Sequence, residues 1–149
     1  MVITCVDLVF IHNSAVLLGK RANPPRQGWW VIGGRMIAGE SPLQTAQRKA
    51  SEEAGLSLTG DRFHCSGVYS TQFAHRHHRF PPGPLHSVNL TYSVLLTAAE
   101  AAAATLTVTE YEDQQWMTLE EVAPYLRPED PMDQALHQVL NDALWLTVK

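Results

Sequence analysis

One stretch of the chain is bounded so tightly that the rest must accommodate it. Ser41 is a helix N-cap, Pro42 suits the first helical position, Gln44 completes an S-x-x-Q capping box and Gly55 supplies the stop, which together predict a helix over about 42–54. Within it Leu43, Ala46, Ala50 and Ala54 recur at spacings of three and four. So narrow a face of mostly small side chains can pack closely on a sheet, leaving the polar face of the helix for chemistry.

The flanking sequence supplies the strands. Residues 2–11 are β-rich, His12-Asn-Ser makes a turn and residues 15–21 return, so the chain opens with a hairpin. Residues 22–28 read as a loop, and the short apolar strand 29–32 runs into Gly33 and Gly34, where a backbone without side chains can turn sharply or approach a ligand. Further strands are expected at 62–70 and 86–96, the second with Val88, Leu90, Tyr92 and Val94 on one side, and at 105–109 and 115–117. Residues 98–104 read as a linker or single turn. Thr118-Leu-Glu-Glu is a capping box opening a brief helix that stops near Pro124. Asp130 caps and Pro131 starts a last helix, along which Met132, Ala135, Leu136, Val139, Leu140, Ala143 and Leu144 trace a core stripe. Strands interspersed with two principal helices predict an α/β or α+β sandwich in a single domain, 1–149.

Composition narrows the classes of function. With 149 residues, 45% hydrophobic and 17% charged, the chain is neither disordered nor membrane-spanning, since no apolar run approaches the roughly 18 residues a bilayer needs. The N-terminus has no cationic region and places Asp7 inside its apolar stretch, so it reads as a strand and the expected location is cytoplasmic. Cys5 and Cys65 fit neither a metal knuckle nor a disulfide framework and are read as buried free thiols. A net charge of −4 argues against general nucleic-acid binding, but the charges are segregated. Residues 8–39 hold no acid and carry Lys20, Arg21, Arg26 and Arg35; residues 62–99 hold none and carry three arginines and five histidines; residues 100–149 hold ten acids. Such segregation suits a small polyanion bridged by a divalent cation.

The chemistry concentrates in Gly34-x5-Glu40-x7-Arg48-Lys49-Ala50-x-Glu52-Glu53-x-Gly55-Leu56. A loop enters the helix, and the helix ends on adjacent carboxylates with Arg48 four residues before Glu52 and Lys49 four before Glu53. This segment resembles the Nudix box, G-x5-E-x7-R-E-U-x-E-E-x-G-U with U aliphatic, which marks hydrolases of nucleoside diphosphates linked to another group. Every fixed position matches except that Lys49 stands where the pattern has its first helical Glu, and Ile32 replaces the Pro usual before the double glycine. The resemblance implies the Nudix fold, an α/β/α sandwich around a mixed β-sheet, with Mg²⁺ or Mn²⁺ held by Glu52, Glu53 and the Gly33 carbonyl. It makes Glu40 a support for loop and helix, and Glu110, six residues before Trp116, a metal ligand or water-orienting group with Glu112 in reserve.

Beyond the box, Leu17-Leu-Gly-Lys-Arg-x-Asn-Pro, Gln27-Gly-Trp and Gly33-Gly-Arg are similar to the GDP-mannose mannosyl hydrolase branch, which releases GDP and the free sugar. That similarity implies that Asp7 and Arg21 aid departure of GDP, that Arg35 lies beside the diphosphate, and that the chain forms a homodimer acting on a small nucleotide substrate. Tyr111 stands, as a substrate-binding candidate, where the branch has its His base, and Glu110 where it has Gln. A phenol is a poor base near neutral pH, so a pyrophosphohydrolase attacking phosphorus is one alternative. An ammonium at Lys49 repels a second cation, which makes a nucleotide-binding module without turnover another. The segment His75-Arg-His-His-Arg and the aromatic residues Trp29, Trp30, Tyr69 and Phe73 are further candidates for substrate contact, with a solvated loop and core packing as the plainer readings.

Overall fold

The computed structural model describes residues 2–21, 28–73, 85–145 and 147. The predicted loop at 22–28 lies outside these except for Gly28, and so does the His75-Arg-His-His-Arg segment.

Strands β1 (Val2–His12) and β2 (Ala15–Arg21) form the expected hairpin, with Ile11 opposite Val16. Its two-residue turn places Asn13 and Ser14 at positive φ, the geometry that matches strand twist. β3 (Gly28–Trp30) and β4 (Ile32–Arg35) replace the single strand expected at 29–32. They separate because β3 pairs with β2 and β4 with β1, so the chain changes partner at Val31. Helix α1 (Pro42–Ala54) has the predicted bounds, a complete capping box between Ser41 and Gln44, and Gly55 in the left-handed conformation as its C-cap. A 3-10 turn at Gly60–Arg62 precedes β5 (His64–Phe73), so Arg62 falls outside the strand predicted to begin there.

β6 (Leu85–Leu95) runs parallel to β1 over its length and antiparallel to β5, which makes the seven-stranded sheet mixed. Residues 98–104, expected as a linker or single turn, contain helix α2 (Ala98–Ala103), opened by a Thr97–Glu100 capping box. The strand expected at 105–109 does not form. There the Thr105 and Thr107 N–H groups donate instead to Ala54 O and Glu53 O, two orphan carbonyls at the end of α1. Strand β7 (Tyr111–Thr118) pairs with β2, α3 (Leu119–Val122) opens on its predicted Thr118 capping box, and α4 (Pro131–Trp145) follows Asp130.

Two cores sandwich the sheet. On one face Val6, Leu8, Phe10 and Leu17 meet Ala46, Ala50 and Ala54 of α1; on the other Val9, Ile11, Val16 and Leu18 meet Leu136, Val139, Leu140 and Ala143 of α4. The three alanines are fully buried, as close packing of α1 requires. Cys65 is exposed and Cys5 half-buried, correcting the expectation of two buried thiols. β5, which carries Cys65, ends the strand order of the sheet. Among the described residues no helix is long and apolar enough to cross a membrane.

Candidate active site

Gly33 is where the site is assembled. In β4 it stands opposite Asp7 of β1, and a side chain here would collide with the Val6 carbonyl and come within 2.5 Å of Asp7 Oδ1. Only glycine permits that approach. Both polar groups of the Gly33 peptide are engaged: its N–H donates to Glu53 Oε2 at 3.3 Å, and its carbonyl accepts from Arg21 Nη2 at 3.2 Å. Arg21 at the end of β2 and Glu53 at the end of α1 are thereby fixed on one residue.

Tyr111 closes this arrangement from β7. Its hydroxyl donates to Glu53 Oε2 at 2.8 Å and accepts from Arg21 Nη2 at 3.2 Å, while the Arg21 guanidinium lies 5.1 Å from the ring centroid. Space for the ring comes from Gly19 in β2, where a side chain would strike both Tyr111 and Leu106. Burial pushes the Tyr111 phenol well above its ordinary range, outweighing the Arg21 charge that acts the other way. The group is a proton donor to Glu53 at neutral pH. Glu53, only 5% exposed, has its own affinity for a proton raised by burial, against the opposing pull of Tyr111, Lys49, Arg21 and the Gly33 N–H.

The rest of the box divides into a brace and an open pair. Glu40 binds Arg48 through two oxygens, at 2.7 and 2.9 Å, and also accepts from the Ile37 N–H and the Thr45 hydroxyl. These contacts, the Arg48 guanidinium above all, hold the Glu40 carboxyl at about 2. Arg48 reaches the Arg35 carbonyl as well, so this cluster staples the loop to α1, as expected of Glu40. Glu52 is half-exposed, with Oε2 at 3.1 Å from Arg48 and 3.6 Å from the Lys49 ammonium. The same ammonium stands 3.7 Å from Glu53 Oε1, beyond hydrogen-bond reach.

Of the other candidates, Asp7 is buried beside Gly33 and accepts from Asn89 Nδ2 at 2.9 Å. Asn89 is set by Ser87 and Thr71, whose hydroxyls donate to its Oδ1 at 2.7 and 3.4 Å and so turn its amide nitrogen toward Asp7. Arg35 is exposed and paired in register with Cys5. Glu110 is exposed in the turn before β7, and Glu112 pairs at 3.5 Å with Lys20. Among the described residues no three His, Cys, Asp or Glu side chains converge as a metal-binding group, so Glu110 is not gathered with Glu52 and Glu53. Trp30 is core and Trp29 packs partly against it; Tyr69 donates to Asp142 Oδ2 at 2.5 Å, and the Phe73 side chain lies outside the described residues. The Tyr111–Glu53 bond and the Asn89 network were not read from sequence. Their signals were Gly19 within a strand and the alternation Ser87, Asn89, Thr91, Ser93 on the second, also buried, face of β6.

The donor set of Glu52, Glu53 and the Gly33 carbonyl is all oxygen, which suits a hard divalent cation. A loop carrying Gly33 and Gly34 enters a helix that ends in paired carboxylates, on a mixed sheet between helices. The sequence profile of the NUDIX domain matches residues 3–139, and the chain belongs to that family. A solved MutT NUDIX hydrolase from Burkholderia pseudomallei superposes with a TM-score of 0.69 at 18% identity, covering 93% of this chain and 97% of that one. The NUDIX domain of Shewanella oneidensis NrtR, solved with ADP ribose, gives 0.65 at 21% identity over 99% of this chain and 89% of that one. In sequence, a low-salt glycan biosynthesis protein, Agl8 of Haloferax volcanii, is 44% identical over 55 residues, which is 36% of this chain and 35% of that protein. The match therefore spans about a third of that curated relative's length.

Proposed function

We propose that the chain hydrolyses a nucleoside diphosphate linked to another moiety, with a nucleotide sugar such as GDP-mannose as substrate and GDP and the free sugar as products. The observation that carries this reading is the convergence on Gly33, which sets a guanidinium and a carboxylate on one peptide unit with Asp7 beside it. Two of the similar proteins support the substrate class: the Shewanella domain holds ADP ribose, a nucleoside diphosphate linked to a sugar, and the Haloferax protein is named for glycan biosynthesis.

In this reading the bond between the anomeric carbon and the diphosphate oxygen breaks, and the electron pair leaves with the diphosphate. Water adds to the carbon and its proton passes to solvent, leaving the free sugar and GDP. Arg21 stabilises the growing charge with a guanidinium held in place by the Gly33 carbonyl. Arg35 is the exposed guanidinium on the substrate side and Asp7 helps GDP depart. Glu52, Glu53 and the Gly33 carbonyl would hold Mg²⁺, or Mn²⁺ in its place, which when bound neutralises diphosphate charge. The assembly in this reading is a homodimer, which sedimentation velocity checks.

A second reading is favoured by Tyr111. A buried phenol committed to Glu53 cannot accept a proton from water, so the place of the carbon-attacking branch's base is filled by a positioning group. Activation of the water that attacks phosphorus then falls to Glu110, exposed in the turn before β7. Incubation with Mg²⁺, nucleotide sugars and dNTPs in ¹⁸O-water, followed by product mass analysis, tests both. Label in the free sugar with unlabelled GDP is the expected result. Label in GMP or a sugar phosphate selects the second reading, and absence of any product with every substrate overturns both.

A further inference from the structure

We propose that the Lys49 ammonium is a resident cation of the diphosphate site and restricts the Glu52–Glu53 pair to at most one divalent ion. The inference rests on the metal-and-diphosphate reading above and deepens it.

Lys49 is built into its place. Its stem crosses Gly34, where a Cβ would stand 2.6 Å from Lys49 Cε and 2.9 Å from Nζ, so the bare backbone at position 34 lets the end of the lysine lie here without shifting. The side chain is 17% exposed, far less than an ordinary surface lysine. Its ammonium ends between the two carboxylates, 3.6 Å from Glu52 Oε2 and 3.7 Å from Glu53 Oε1. Both separations exceed a charged hydrogen bond of about 2.8 Å, so the nitrogen is shared between the acids and bonded to neither. A helical i,i+4 pair kept for stability alone gains most by closing onto one partner.

That place is where an ion bridging Glu52 and Glu53 would lie. Metal–oxygen contacts run at about 2.0–2.6 Å, so a divalent ion touching both acids would sit within a few ångströms of Nζ and be repelled by it. Arg48 on Glu52 and Arg21 on the Gly33 carbonyl add positive charge on either side. The Glu52 oxygen other than Oε2, the atom that both cations approach, and Glu53 Oε1 can still hold one ion against that repulsion; they cannot hold a second. The ammonium supplies, without dissociating, a positive charge toward a diphosphate laid over Gly33 and Gly34.

The test is Mn²⁺ binding to the full chain, followed by the EPR signal of free ion and counting only ions lost in Glu53→Gln. The wild type is expected to hold no more than one such ion. Lys49→Glu should hold one more, and Lys49→Met, similar in length and able to lie over Gly34, should bind Mn²⁺ about tenfold or more tighter. Lys49→Arg should behave as wild type. Two ions on the wild type, or unchanged stoichiometry and affinity in Lys49→Met, overturns the proposal; should Lys49→Glu fail to fold by circular dichroism, Lys49→Met decides alone. Because the readout is ion binding, it is independent of which substrate, if any, the enzyme turns over.

Discussion

The two ends of the α1 motif use the same ingredients to opposite effect. At the entry Glu40 and Arg48 meet through two short hydrogen bonds, and the carboxyl is held at about 2. At the exit Glu53 and Lys49 stand 3.7 Å apart without a hydrogen bond, and burial raises the carboxyl's hold on a proton. The first pair is fully satisfied by the protein and braces a loop. The second has no hydrogen bond between its members, and in the proposed reading it faces a ligand. Carboxylate–cation proximity in a sequence does not distinguish the two; hydrogen-bond saturation does.

The contrast is broken most directly at Glu53. Glu53→Gln is expected to lower turnover about 10²-fold or more while the protein stays folded, measured as kcat beside a thermal melt. Equal turnover in Glu53→Gln and wild type would remove the difference between the two ends. Tyr111→Phe comes next. Deleting its hydroxyl strips a donor from Glu53 and an acceptor from Arg21, which should cost about 1–3 kcal/mol in chemical denaturation and leave the pH dependence of turnover without a phenol-dependent limb. Complete loss of activity with unchanged stability would instead make Tyr111 a proton-transfer group.

Glu40→Gln sharpens the other side. The Glu40 carboxyl titrates in the folded chain at about 2, below its ordinary 4.5, so its contribution to stability is complete above pH 4.5 and is lost as the pH falls through about 2. The Tm deficit of Glu40→Gln should therefore be largest near neutral pH and close progressively below pH 4.5; a deficit independent of pH would mean that Arg48 does not hold the carboxylate. The smallest effect is expected at Glu112, whose pairing with Lys20 is half-exposed on both sides. Glu112→Gln should change stability by under about 1 kcal/mol and leave turnover intact, whereas a large loss of turnover would shift the water-activating role to this residue.

Local signals in the sequence went furthest where a single segment contains both cause and effect. The bounds of α1 follow from Ser41, Pro42, Gln44 and Gly55 because caps act within one turn, and the parity of β6 follows from simple alternation. What depends on distant partners was less legible. The 105–109 segment has strand-like residues but finds the end carbonyls of α1 before it finds a strand, and Cys65 is exposed on β5, the strand that ends the sheet order, which no local pattern states. In the site, Glu40, Glu52 and Glu53 were singled out by the resemblance of their segment to the Nudix box. The role of Tyr111 was not, because it depends on Gly19 across the sheet and on Glu53, 58 positions away in the chain. Likewise β6 presents Ser87, Asn89 and Thr91 to the interior, where alternation alone predicts solvent.

Crystals of the wild type soaked with Mn²⁺ and GDP, with diffraction recorded at the manganese edge, test the central claim most directly. The account predicts anomalous density for one ion in contact with Glu53, with the diphosphate laid along Gly33 and Gly34 within reach of Arg21 and Lys49. Density for the ion away from the Glu52–Glu53 pair, or GDP bound with its phosphates remote from Gly33, would contradict it.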